Sequence, residues 1–352
     1  MESFHRYLLL GWGFLPPFHQ KSLKTLNLEA QKLVGSLPPS IGNLTYITGL
    51  NLGKNIFHGE IPQEIGRLRS LQYLNLSRNS FSGKIPTNIS HCARLRMLNL
   101  EVNGIIGSFP IQLISLLRLT HLRLSSNNLT GTIRPWMGNF SLLSSLHLGE
   151  NRFQGSIPNE LGHITSLEEF VVEVNDLSVL LRTNCMESYH QISAQCFLIS
   201  YNYTDLNKFR GNIPISLSNA SRLQTLELGE NGLSGTVPGE SLGSLRSLVW
   251  LNIYGNQLGN RKVGDLNFLS FLANCTRWEI LALDGNNFGG GIPGSIANLS
   301  TQLNILGLGL NLIHGSLPNG IGNLINLNIL ALDDNHLGGS VPLEIGKLKK
   351  LE

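Results

Sequence analysis

The sequence predicts an α/β repeat solenoid, a superhelix in which short strands stack into one continuous parallel β-sheet on the concave face. The first observation is a period of 24 residues: LQYLNLSRNSFSGKIPTNISHCAR (Leu71–Arg94) is followed directly by LRMLNLEVNGIIGSFPIQLISLLR (Leu95–Arg118). The second is that many positions recur together, which gives the pattern LxxLxLxxNxLxGxIPxxLGxLxx. About thirteen copies begin near Leu23, Ile47, Leu71, Leu95, Leu119, Leu143, Leu167, a disturbed eighth position, Leu223, Leu248, Trp278, Leu303 and Leu327.

Each recurring residue type has a structural role in this fold. The LxL alternation is typical of a short strand whose leucines point inward. The asparagine after the strand can satisfy backbone groups of its own turn and of the adjacent coil, which would otherwise be buried without partners. The glycine fits a bend beside the neighbouring coil, and the proline that follows fixes φ. These asparagines are Asn55, Asn79, Asn103, Asn127, Asn151, Asn175, Asn231, Asn256, Asn286, Asn311 and Asn335.

Composition and motifs argue against several function classes. The net charge is only +3, which gives no electrostatic reason to expect nucleic acid as a partner. The glycines follow the 24-residue repeat, and neither a phosphate-binding loop nor a kinase catalytic motif is present. The ten histidines are scattered. We therefore expect no catalytic residues, no metal and no small-molecule cofactor in this chain. No apolar stretch reaches the roughly 18–20 residues of a membrane helix.

The repeats divide the chain into four segments. Residues 1–22 form a leader of unclear role, with a weak similarity to a signal peptide but no small-residue cleavage site. Residues 23–178 hold repeats one to seven, and residues 179–206 form an irregular loop or degenerate repeat. Residues 207–352 hold repeats eight to thirteen and the start of a further, truncated repeat.

The irregular segment contains eight residues more than the repeat needs. The eighth repeat begins at Ile199 in one register and at Ala194 in the other, and the second register gives the better core. In that register Asn202 is a buried ladder residue whose sequon should be empty, and Tyr201 faces the concave side in both. Degeneration or a splice error is one interpretation of the segment, and a functional loop is the other.

The four cysteines form no CxxC pair. Cys185 and Cys196 lie in the irregular segment and would close a small disulfide loop worth roughly 2–3 kcal/mol if oxidised. Cys92 and Cys275 occupy positions that are leucine in other repeats, which predicts buried small hydrophobic residues.

The repeat resembles the leucine-rich repeat of plant receptor-like kinases, because LxGxIPxxLGxL is the plant-type version of that repeat. GDLNFLSFLANCTRWEILALDGNNFGGGIPGSIANLS (Gly264–Ser300) and IGNLINLNILALDDNHLGGSVPLEIGKLKKL (Ile321–Leu351) are similar to the subfamily that includes immune receptors for microbial peptides. The resemblance covers Leu23–Leu351, but the cap of the family, its membrane helix and its kinase are not recognisable. The sequence is therefore interpreted as a fragment of an ectodomain.

The resemblance implies a function in defence or developmental signalling. It implies a peptide or protein ligand on the concave face, a co-receptor that also has leucine-rich repeats, and a location on the extracellular side of the plasma membrane. The alternatives are a secreted or truncated repeat protein that acts as an inhibitor or decoy without a kinase, and a non-functional fragment.

The x positions of LxxLxLxxN are the candidates for ligand contact, since the other positions are committed to folding. Basic side chains dominate in repeats two to five, whereas acidic and aromatic side chains dominate in repeats six to ten. Exposed Trp and Tyr residues are typical interface anchors. We therefore expect a ligand with basic character. The candidate contacts are Arg78, Arg123, Glu150, Glu173, Tyr201, Glu227, Glu230, Trp250 and Tyr254.

Glycosylation sequons are numerous, although a chain rich in Asn, Ser and Thr carries several by chance. A glycan on Asn75, which the pattern places on the concave face, would push the ligand surface towards repeats six to ten. The candidate sites are Asn43, Asn75, Asn88, Asn128, Asn139, Asn219, Asn274 and Asn298.

Repeat ten lacks the GxIP bend and contains DLNFLSFLAN (Asp265–Asn274) instead. Its apolar residues recur at helical spacing, which predicts a convex-side helix with Asp265 as its cap.

Overall fold

The computed structural model describes residues 23–174 and 209–352. Their contacts define two compact units. Within the described residues, unit 1 comprises 23–153, 158–171 and 219–223, and unit 2 comprises 154–157, 172–174, 209–218 and 224–352. The leader, the irregular segment 179–206, and with them Tyr201, Cys185 and Cys196, lie outside the described residues.

Each predicted strand position that is described forms a short parallel strand. Strands are numbered β1 to β24 along the chain; the odd-numbered ones carry the LxL motif. In unit 1 these are β1 (Thr25–Asn27), β3 (Gly49–Asn51), β5 (Tyr73–Asn75), β7 (Met97–Asn99), β9 (His121–Arg123), β11 (Ser145–His147) and β13 (Glu169–Val171). In unit 2 they are β15 (Thr225–Glu227), β17 (Trp250–Asn252), β19 (Ile280–Ala282), β21 (Ile305–Gly307) and β23 (Ile329–Ala331).

The pairing is in register, so the leucines stack. In unit 1, Leu50 pairs with Leu74 and Leu74 with Leu98, and each is at most 1% exposed. In unit 2, Leu251 pairs with Leu281 in the same way, and both are fully buried. Because a strand side chain alternates between faces, the residues that flank these leucines lie on the opposite face of the sheet. The predicted leucine-rich-repeat solenoid is confirmed.

A second short strand and one turn of helix complete most repeats. The even-numbered strands are β2 (Val34–Ser36), β4 (Ile56–Glu60), β6 (Ser80–Ser82), β8 (Ile106–Ser108), β10 (Asn128–Gly131), β12 (Arg152–Phe153), β14 (Arg210–Gly211), β16 (Gly232–Gly235), β18 (Gln257–Leu258), β20 (Gly289–Gly290), β22 (Leu312–Gly315) and β24 (His336–Leu337). The 3-10 helices are Pro39–Asn43, Gln63–Arg67, Thr87–His91, Ile111–Ser115, Pro135–Asn139, Asn159–His163, Ile215–Asn219, Asp265–Phe268, Gly294–Asn298, Asn319–Asn323 and Leu343–Lys347. The α-helices are α1 (Gly239–Gly243) and α2 (Leu269–Leu272).

The asparagine ladder forms as predicted at the described positions, and Asn175 lies outside the described residues. Asn127, 4% exposed, donates from Nδ2 to the carbonyl oxygens of Leu100 and Leu124 at 3.0 Å and of Ser125 at 3.2 Å. Its Oδ1 accepts the backbone N–H of Ile105 at 3.0 Å. One side chain therefore satisfies four backbone groups on two successive repeats, which buried strand ends require.

The glycine in the LxGxIP part of the repeat bends the chain. Gly107, for example, has φ +84°, a conformation that favours glycine. Gly138 is needed for a different reason, because a methyl group there would overlap the backbone of Glu160 in the next repeat. This second glycine therefore sets how closely adjacent 3-10 helices approach.

The predicted helix in repeat ten is present as a short 3-10 turn followed by α2, but the predicted cap is wrong. The N-cap residue is Gly264, at φ +94°, and no side chain caps the helix. Asp265 Oδ2 instead accepts three backbone N–H groups, from Asn260, Lys262 and Gly289, each at 3.0 Å. The carboxylate orders the preceding loop and ties it to the next repeat.

Among residues 23–174 and 209–352, no helix is long and apolar enough to cross a bilayer.

Candidate ligand-binding face

The x positions of LxxLxLxxN form a surface that we call the strand face, and each unit has its own. Three candidate contacts, Arg78, Glu150 and Glu230, directly precede the ladder asparagine and have φ of 53°, 51° and 47°. Gly255 and Gly285 occupy the same position in two later repeats. The left-handed conformation is therefore a property of the repeat, not of these three residues alone.

In unit 1, Arg78 is exposed, whereas Lys54 is held by Glu29 at 2.9 Å. Glu150 is only 8% exposed and accepts a hydrogen bond from Ser126 Oγ at 2.7 Å. Glu168 pairs with Arg222. Most charges on this face therefore have intramolecular partners.

A polar network extends across four successive repeats of unit 1. Arg123 Nη2 donates to Glu169 Oε2 at 3.1 Å, and Ser145 Oγ donates to the same oxygen at 2.7 Å. His147 lies between two carboxylates, with Nε2 2.9 Å from Glu169 Oε2 and Nδ1 3.2 Å from Glu101 Oε1. A neutral imidazole can donate from only one nitrogen, so two carboxylate partners favour the imidazolium form.

The network changes the pKa values of its members. The hydrogen bond with His147 is the main cause that lowers the pKa of Glu169 to about 2, opposed by partial burial. Burial lowers the pKa of His147, but the hydrogen bonds with Glu101 and Glu169 more than offset it, so the pKa is raised. Burial, followed by the charge of Arg123, lowers the pKa of His121. The pKa values of the two histidines on adjacent strands therefore shift in opposite directions.

The strand face of unit 2 has a different character. Trp250 and Tyr254 are half-buried, and the Tyr254 hydroxyl donates to Glu230. Asn252 Nδ2 lies 3.4 Å from Glu173 Oε2, and Glu227 is 8% exposed. These candidate contacts, from three repeats, lie on one face of the unit. Their role in ligand contact stays a prediction.

Among the described residues of unit 2, no strand-face position carries lysine, arginine or histidine. Seven carboxylates lie on this face: Glu173, Glu227, Glu230, Glu279, Asp284, Asp333 and Asp334.

Asp284 is a carboxylate of this face that is not among the ligand contacts predicted from the sequence. Burial, assisted by the charge of Asp333, raises its pKa to about 6, although the Gly309 N–H opposes the change. The signal that could have found it is LGLGL (Leu306–Leu310), in which glycine fills two strand-face positions of the following repeat.

The candidate glycosylation sites differ in exposure. Asn75 lies in β5 as predicted, is half-buried, and its Oδ1 accepts the N–H of Ser77 at 3.0 Å. Asn88 and Asn128 are also half-buried. The exposed sites are Asn43, Asn139, Asn219, Asn274 and Asn298.

The two cysteines that the structure describes, Cys92 and Cys275, are buried and free. Burial raises the pKa of each thiol to about 11, which makes both unreactive at neutral pH. Their predicted packing role is confirmed. Within residues 23–174 and 209–352, no group of three His, Cys, Asp or Glu side chains could hold a metal ion.

Comparison with family models finds leucine-rich repeats. One such model matches residues 47–105, and a second matches residues 22–44, 118–140, 142–164 and 277–299. Both models describe leucine-rich repeats.

Several curated and solved relatives are plant receptors. The LRR receptor-like serine/threonine-protein kinase EFR of Arabidopsis thaliana is 52% identical over 83 residues, which cover 24% of this chain and 8% of EFR. The structure of plant peptide hormone receptor RGFR1 in complex with RGF2 has a TM-score of 0.78 and 31% identity, covering 96% of this chain and 48% of that chain. The Arabidopsis receptor kinase HAESA, solved with the peptide hormone IDA and the co-receptor SERK1, has a TM-score of 0.56 and 27% identity, covering 95% and 58%.

The chain thus spans about half of these solved chains, and its alignment spans less than a tenth of EFR. The repeats and the comparisons together show that the chain has the leucine-rich-repeat fold and that it resembles the ectodomains of plant receptor-like kinases.

Proposed function

We propose that this chain is the ligand-binding part of a plant receptor-like kinase and recognises a peptide or protein on its strand face. The receptor serves defence or developmental signalling on the extracellular side of the plasma membrane. RGFR1 and HAESA, which share the fold, were each solved with a peptide hormone. HAESA was also solved with SERK1, which supports a co-receptor as a second partner of this chain.

The observation that carries the proposal is the charge of the strand face in unit 2. Seven carboxylates lie on the described part of that face, where no position is basic, and this charge would favour a cationic ligand. Trp250 and Tyr254 add aromatic area beside those charges, which is typical of interface anchors. The ligand is therefore a peptide or protein segment with basic character.

The test is binding of the full chain to peptides from plant extracellular fluid, identified by mass spectrometry after co-elution. The double variant Trp250→Ala/Glu230→Lys should retain less than about a tenth of the bound peptide. The matched control is Glu240→Lys, an exposed charge reversal on α1, off the strand face. Equal binding by the double variant and the control would contradict the proposal, as would the absence of any bound peptide.

A further inference from the structure

A histidine on the strand face of unit 1 joins three repeats. His147 lies in β11, and its side chain is only 15% exposed. Its Nδ1 is 3.2 Å from Glu101 Oε1, and its Nε2 is 2.9 Å from Glu169 Oε2. Because Glu101 follows β7 and Glu169 lies in β13, this one ring bridges repeats four, six and seven.

The two carboxylates that contact this ring are held unequally. Glu169 Oε2 also accepts hydrogen bonds from Arg123 Nη2 at 3.1 Å and from Ser145 Oγ at 2.7 Å. Among the described residues, His147 is the only hydrogen-bond partner of the Glu101 carboxylate, whose side chain is 20% exposed. Loss of the bond to His147 would therefore leave Glu169 anchored and Glu101 without an anchor.

The groups around His147 favour its protonated form, whereas those around the nearest histidine do not. The charged and titratable side chains near the ring, from repeats four, five and seven, are Glu101, His121, Arg123, Glu168 and Glu169. Burial lowers the pKa of His147, but the hydrogen bonds with the two carboxylates outweigh it, so the pKa is raised, and the charge of Arg123 opposes the rise. Burial and then Arg123 lower the pKa of His121, so His121 loses its proton first as the pH rises.

Loss of one proton from His147 would rearrange this network. A neutral imidazole donates from one nitrogen and accepts at the other. The shorter bond is that of Nε2 to Glu169, whose position Arg123 and Ser145 fix, so this bond should be kept. Nδ1 then faces Glu101 with a lone pair, and a contact between two acceptors is unfavourable. The Glu101 carboxylate should therefore move into solvent, and the network becomes more negative by one charge.

We propose that His147 is a proton-operated latch: the charged ring holds Glu101 against the strand face of unit 1, and the neutral ring releases it. Because the pKa of His147 is raised, the latch is closed below the ordinary histidine pKa of 6.5 and opens only as the pH rises through the higher folded-state value. While closed, it ties repeats four to seven together on one face, so its opening loosens the strands there. The latch lies within unit 1 and does not depend on which ligand the chain binds.

The first test is NMR of the full chain with ¹⁵N-labelled histidine, which reports the protonation state and tautomer of each ring from about pH 5 to about pH 9. His147 should titrate above pH 6.5, and its neutral form should keep the proton on Nε2. Glu101→Gln keeps the shape of the side chain but removes its charge, so it should lower the pKa of His147. His163→Gln is the control, since that side chain is exposed on the 3-10 helix Asn159–His163, and it should leave the pKa of His147 unchanged.

The second test is hydrogen–deuterium exchange of the full chain at pH 5.5 and pH 8, corrected for the intrinsic pH dependence of exchange. The amides of Val102 and Leu124 bond to carbonyl groups of the next repeat, so they report whether the strands loosen. Their exchange should be about threefold faster at pH 8, the size of effect expected when a partly exposed ion pair is lost. In His147→Gln, which cannot gain a charge, this pH dependence should be lost, whereas His163→Gln should retain it.

Three results would overturn the latch: a pKa of His147 at or below 6.5, a neutral ring with its proton on Nδ1, or exchange at Val102 and Leu124 that does not vary with pH. An unchanged pKa of His147 in Glu101→Gln would overturn it as well. If His147→Gln does not fold, Glu101→Gln replaces it in the exchange measurement and should also lose the pH dependence. These results leave the proposed function intact, because peptide capture tests that function separately.

Discussion

At neutral pH, the ionised carboxylate of Asp284 should make the folded chain less stable than a neutral side chain at the same position would. Burial raises the pKa of this group from its ordinary 3.8 to about 6. Because the folded-state pKa exceeds the unfolded-state pKa, the stabilising effect of protonation is complete below about pH 4 and is lost as the pH rises through 6. At about 1.36 kcal/mol per pH unit, ionisation of Asp284 lowers the free energy of unfolding by about 3 kcal/mol.

The variant Asp284→Asn removes this cost and keeps an oxygen for the Gly309 N–H. The new amide N–H lies where Oδ2 has no partner, and a buried unpaired donor costs about 1–3 kcal/mol. We therefore expect a net gain of about 0–2 kcal/mol at pH 7.5 and no gain at pH 4. A residue that lowers stability in this way is typical of a binding site.

Urea unfolding of the full chain at both pH values, followed by circular dichroism, measures the difference. Glu240→Gln is the control, since that side chain is exposed on α1 and should change stability at neither pH. A loss of stability for Asp284→Asn at pH 7.5, or a difference that does not vary with pH, would refute the reasoning.

Three further predictions concern the scaffold and unit 1. His147→Gln should lower the free energy of unfolding, measured in urea, by about 1 kcal/mol at pH 5.5 and by little at pH 8. The pKa of His147 is raised, so the ring stabilises the fold only while it is charged. The effect is small because solvent screens the partly exposed network. Asn127→Ala should cost about 3 kcal/mol in the same assay, because it leaves four backbone groups unpaired, three of them in buried hydrogen bonds. Asn335→Ala should cost clearly less, because its bonds are part-buried or exposed. Gly138→Ala should lower the melting temperature by several degrees because its methyl meets backbone, whereas Gly294→Ala, with open space around it, should not.

The fold followed from the sequence because its determinants repeat every 24 residues. The core leucines, the ladder asparagines and the bend glycines each contact an adjacent repeat, so one pattern specifies all of them. The role of Asp265 could not be predicted in this way. Its carboxylate accepts hydrogen bonds from the loop that precedes it and from Gly289, whereas a helix cap would bond only to the first turn of its own helix.

The candidate site could be predicted from the sequence only in part. The pattern placed Arg123 and His147 on the strand face, but their bonds to Glu169 and Glu101 depend on side chains that reach two repeats away. The pKa of Asp284 likewise depends on glycines in the following repeat that let its carboxylate fold down onto the sheet. Periodicity gives the face of each residue, whereas side-chain reach and desolvation require the three-dimensional arrangement.

Hydrogen–deuterium exchange of the full chain, with and without peptide recovered from extracellular fluid, tests the central claim most directly. Ligand contact on the strand face of unit 2 predicts that exchange slows in β15, β17, β19 and β21 and the turns that follow them. Slowing confined to the 3-10 helices, or to the even-numbered strands, would contradict the claim that this acidic and aromatic face binds the ligand.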